Sequence, residues 1–76
     1  MSRKDKKKEL QAALHTEALH YKDVMDEGMR GKSTTDGLQF LVNHIHFQIK
    51  GEPQRKGFFL AAVSEFRHMT GVHISV

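Results

Sequence analysis

Three amphipathic stretches separated by two glycine-bearing breaks predict a mainly α-helical chain, a small three-helix domain with a short extended C-terminus. Two apolar stripes at helical spacing carry this expectation, one over Leu10–Met29 and one over Phe58–Met69. A run of side chains suited to capping a helix lies between them, at Ser33, Thr34, Thr35 and Asp36. The expected helices cover roughly 5–29, 36–50 and 53–70.

In the first segment Leu10, Ala13, Leu14, Ala18, Tyr21, Val24, Met25 and Met29 fall in one arc when residues are placed at 100° steps. Lysines, histidines and aspartates fill the other side, and Gly28 and Gly31 with Arg30 and Lys32 supply a stop. Glu17 falls inside the apolar arc. An ionised carboxylate there needs a partner or a path to water, so Glu17 is expected to reach solvent or to pair across a dimer rather than to catalyse.

The second segment has two readings. Leu38, Leu41, Val42, Ile45 and Ile49 make a helical stripe, while residues 43–50 alternate polar and apolar as a half-buried strand would. The cap signals before it favour a helix. That helix leaves Phe40 and Phe47 on a reverse face, which a central helix with two neighbours would use. The alternative fold is α+β, in the order helix, strand, helix, strand, with 43–50 and 72–76 paired.

Gly51-Glu52-Pro53 breaks the chain, and the proline suits a first helical turn, where its missing N–H costs nothing. Phe58, Phe59, Ala62, Val63, Phe66 and Met69 then share about 140° of arc. Gly71 fits the left-handed position that ends many helices, and the alternating Val72–Val76 reads as a short extended tail.

The 76 residues make one domain with a small core, whose stability benefits from a staple. With no cysteine in the chain, disulfides and thiolate metal sites are excluded. A homodimer is the expected alternative, because the surplus apolar side chains Leu19, Phe40 and Phe47 would otherwise remain in water. No apolar run approaches the roughly 18 residues of a membrane span, and a charged start without an apolar leader fits a cytoplasmic protein that has no membrane partner.

The net charge of +3 is unevenly spread. Within residues 1–9, Arg3, Lys4, Lys6, Lys7 and Lys8 oppose only Asp5 and Glu9, whereas in residues 10–76 basic and acidic side chains are equal in number. The chain therefore divides into a basic end at 1–9, partly disordered or the start of a helix, and a neutral domain at 10–76.

Six histidines invite a metal, but His15 and His20, like His68 and His73, are five apart and share no helical face. His44 and His46 share a face only in a strand. No metal and no other cofactor is expected. Phosphate loops, nucleophile elbows and metalloprotease spacings are missing, so the chain is not expected to be an enzyme.

Two functions remain. The first is a small regulatory protein that binds DNA or RNA mainly through phosphates, with Lys6, Lys7, Lys8, Arg55 and Lys56 as the contacting residues. Few aromatics are free to stack on bases, so such binding would tolerate most sequences. The second is a protein interaction module, an adaptor, inhibitor or regulatory subunit, that docks through Leu19, Phe40 and Phe47 while the basic end serves solubility.

Overall fold

One long helix organises the molecule. In the computed structural model, which describes residues 3–76 and side chains from Lys6 onward, α1 spans Arg3–Met29, α2 spans Thr34–Gly51 and α3 spans Lys56–Thr70. A single 3₁₀ turn, Pro53–Arg55, joins α2 to α3. The second segment is a helix throughout, which overturns the alternative in which 43–50 pairs as a strand with 72–76; no strand occurs among the described residues. The cap explains this outcome. Ser33 is the N-cap of α2, its Oγ accepts from the Asp36 amide at 3.3 Å, and Asp36 Oδ2 accepts from the Ser33 amide at 3.3 Å. This reciprocal pair starts the helix before the alternation of residues 43–50 begins.

The loop between α1 and α2 is short because Gly31 adopts φ +66°, a left-handed conformation that costs glycine little. It folds α2 back antiparallel to α1. Two glycines let the helices approach closely near that loop: Gly28 of α1 lies against Phe40, and Gly37 of α2 lies against Met25 and Met29.

Both α2 and α3 pack on α1 and touch each other far less. The central place therefore belongs to α1. The expectation that α2 is the central helix is corrected, and its reverse face has no second neighbour to meet. Ala18, Tyr21, Leu41, Ile45, Ala62 and Phe66 are fully enclosed and form the core with Met25. Gly71 ends α3 at φ +73°, its N–H donating to the Arg67 carbonyl at 2.7 Å, and the extended tail lays Val72 and Ile74 against the core.

Leu10 and Ala13, expected in the core, are exposed, Leu10 at 54%. Length is the reason. The 27 residues of α1 reach about 40 Å, while α2 with 18 and α3 with 15 reach about 27 and 23 Å. The side chains from Lys6 to Ala13 are all exposed, so the first turns of α1 stand clear of the core, and the molecule is 46 Å in its longest dimension.

Candidate functional site

The projecting start of α1 carries Lys6, Lys7 and Lys8, all exposed. Consecutive residues turn by 100°, so the three ammonium groups spread over about 200° of the helix circumference and surround the helix instead of lining one flank. Lys7 and Lys8 border a shallow cleft of about 400 Å³ completed by Leu10, Gln11 and Leu14. The charged heads thus stand beside an apolar strip that their methylene stems partly cover. Arg3, Lys4 and Asp5 complete the basic end in sequence, and their side chains lie outside the described residues.

Arg55 and Lys56 sit elsewhere, Arg55 at the end of the connection between α2 and α3 and Lys56 as the first residue of α3. That connection follows Gln48, which bonds Glu17, and Glu17 lies nine residues beyond Lys8, about 14 Å along α1. Arg55 is held within the molecule. Its Nη1 donates to Glu52 Oε2 at 3.4 Å, and its guanidinium carbon lies 4.7 Å from the Phe58 ring centre and 5.1 Å from that of Phe59. Lys56 is exposed at the start of α3. The structure therefore keeps the lysine triplet together and separates it from the Arg55–Lys56 pair.

The three apolar candidates also divide. Leu19 is 44% exposed on α1 and lies about 160° around the helix from the fully enclosed Tyr21. Phe40 and Phe47 share the outer flank of α2, 48% and 76% exposed. Phe40 rests one side on Gly28, which accounts for its smaller exposure.

Two arrangements that the sequence reading missed join α1 to α2. In the first, Tyr21 Oη donates to Gln48 Oε1 at 2.9 Å and Gln48 Nε2 donates to Glu17 Oε1 at 2.7 Å. The partner of Glu17 is thus a neutral amide within the same chain rather than a dimer contact. Burial, and then the Glu17 charge, raise the Tyr21 pKa well above the usual phenol range, so its hydroxyl stays a donor.

The second arrangement is a pair of imidazoles, His20 and His44, with ring centres 5.3 Å apart and Tyr21 edge-on to His44 at 6.3 Å. His44 Nε2 is buried without a hydrogen-bond partner. Burial lowers the His44 pKa, His20 lowers it further, and Glu17 acts in the opposite direction. Among the described residues no three histidines, aspartates or glutamates are grouped to hold a metal ion.

A pH dependence follows from His44. Its folded form takes up a proton less readily than its unfolded form, so the unfolded chain binds more protons as the pH falls through the ordinary histidine range. Stability contributed this way is present above that range and lost below it. Urea unfolding at pH 7.5 and pH 5 should show the parent losing more stability than a His44→Gln variant, and equal losses would refute this role. The signal that could have revealed both arrangements is the short loop: in a helical hairpin, residues nearly equidistant from the loop, such as His20 and His44 or Glu17 and Gln48, end up opposite each other.

No family model, curated protein or solved structure matches the chain. No helix among the described residues is long and apolar enough to cross a membrane.

Proposed function

We propose that the protein is a small regulatory protein that binds nucleic acid through phosphate contacts made by the basic start of α1. The supporting observation is the placement of Lys6, Lys7 and Lys8 on exposed helical turns that project beyond the core. Cations at a helix start oppose the helix macrodipole, whose positive end lies there. A bound polyanion removes that conflict, because both the lysines and the positive end of the macrodipole attract it. Lys56 supplies a further contact, and Arg55 contributes only where a phosphate competes with Glu52 for its guanidinium. The reading includes self-association, since a second copy would cover apolar side chains that this chain leaves in water.

The test is a salt titration of binding to non-specific duplex DNA and to RNA. The parent is expected to lose affinity steeply with salt. The combined substitution K6A/K7A/K8A should flatten the slope by about two to three units, because a duplex on one flank engages two of the spread lysines fully and the third at its edge. Circular dichroism checks that the variant remains helical. A folded triple variant that binds as tightly as the parent would reduce the lysines to a solubilising end. The interaction module would then be the first reading, and the observation favouring it is the outer flank of α2, with Phe47 76% exposed.

A further inference from the structure

Phe40 and Phe47 belong to a longer pattern on α2. Asp36, Phe40, Asn43, Phe47 and Lys50 are all exposed and follow one another at spacings of four, three, four and three residues. At 100° per residue they occupy about 80° of arc, pointing away from the Leu41 and Ile45 side that meets α1. This is the seam spacing of a coiled coil, on a helix whose inner face is already used. The seam is also nearly self-complementary when read backwards. Phe40 and Phe47 are equidistant from the midpoint between Asn43 and His44, and Asp36 and Lys50 are equidistant to within one residue.

We propose that two copies of the chain pair through this seam, with their α2 helices antiparallel about a two-fold axis at Asn43. Phe47 of each copy enters the cleft beside Phe40 of the other. That cleft, about 410 Å³, is lined by one large apolar side chain, Phe40, and by polar ones in which the carboxylates of Glu27 and Asp36 outnumber the ammonium of Lys32. Lys50 of the second copy arrives at that cleft beside Asp36. The Asp36 carboxylate accepts from Ser33 through Oδ2, and its other oxygen remains available to the ammonium. Asn43 Oδ1 accepts from Gln39 Nε2 at 3.0 Å, and its amide N–H groups are placed for the same residue across the axis. A polar residue at a seam position sets register in this way.

Charge selects this arrangement over the parallel one. In a parallel pair Asp36 would face Asp36 and Lys50 would face Lys50, and the two helix dipoles would align with like ends together. The antiparallel pair replaces each of these repulsions with an attraction. The seam is short, so the dimer belongs to the weak end of specific interfaces. The inference rests on self-association and is independent of nucleic-acid binding, since Lys6, Lys7 and Lys8 lie outside the seam.

Sedimentation equilibrium of the parent from about 5 to 500 μM should show a concentration-dependent rise to the dimer mass. Phe47→Glu should abolish that rise while leaving the helical content unchanged, because the exposed ring contributes nothing to the monomer core. Leu19→Glu, away from the seam, should leave the dimer intact. The chain has no cysteine, so single thiols report register directly. Asn43→Cys at the axis should cross-link on oxidation. Lys50→Cys should not, because the two positions would stand about 20 Å apart along the paired helices. A parent that stays monomeric at the highest concentration overturns self-association and this interface together. A dimer that survives Phe47→Glu, or that cross-links through Lys50→Cys, overturns this interface and leaves self-association standing.

Discussion

Phe66→Ala is expected to lose about 3–5 kcal/mol of stability, the usual range for truncating a fully buried phenylalanine. Phe66 is 0% exposed and shares its cluster with Ala18, Tyr21, Met25, Leu41, Ile45 and Ala62, which come from all three helices. At about 0.05–0.15 kcal/mol per residue, a chain of 76 residues holds roughly 4–11 kcal/mol in total. The substitution therefore removes about a quarter or more of the stability, and the midpoint of thermal unfolding should fall by roughly 12–40 °C. Phe47→Ala, measured at low micromolar concentration where the chain is monomeric, is the control. It deletes the same atoms from a ring that is 76% exposed and should change stability by less than about 0.5 kcal/mol. Equal losses from the two variants, read by circular dichroism during heating, would show that Phe66 is not enclosed.

The position of Phe66 was legible in the sequence, and so was most of the framework around it. The Phe58–Met69 stripe put Phe59, Ala62 and Phe66 on one face, and all three are buried. Ser33 and Asp36 announced the start of α2, and Gly71 the end of α3. What the sequence could not convey was which helix lies between the other two. Periodicity describes the inner face of each helix but not how many neighbours meet it. Placing α2 at the centre gave Phe40 and Phe47 a neighbour that the fold does not provide. The same limit concealed the exposure of Leu10, whose place in the α1 stripe says nothing about where the partner helices end. The exposure of Lys6, Lys7 and Lys8 was legible because it depends on local charge. The restraint on Arg55 depends on Phe58 and Phe59 turning back towards it across the start of α3, and composition alone carries no trace of that.

Alanine at two helical glycines should change stability in opposite directions. Alanine favours a helix over glycine by up to about 1 kcal/mol, so replacing a glycine that faces open space should help. Gly57, near the start of α3, has no atom within 4 Å of where a Cβ would sit, and Gly57→Ala is expected to gain about 0.4–1 kcal/mol. Gly37 is the contrary case. A Cβ there would meet the Met29 side chain and come within 2.9 Å of the Met25 carbonyl oxygen. The methionine can swing aside, but the carbonyl is fixed in α1, so the helices must separate. Gly28 repeats the constraint from the other side, where a Cβ would lie 2.6 Å from the Phe40 Cβ. Overpacking of this kind costs about 1–3 kcal/mol, which exceeds the gain in helix preference. Gly37→Ala should therefore be destabilised in urea unfolding at pH 7.5 while Gly57→Ala is stabilised. Because Gly37 and Asp36 lie on the same turn, separating the helices there would also disturb the cleft beside Phe40. Gly37→Ala is accordingly expected to weaken self-association as well. A Gly37→Ala variant as stable as Gly57→Ala would mean that α1 and α2 do not approach as closely as these glycines require.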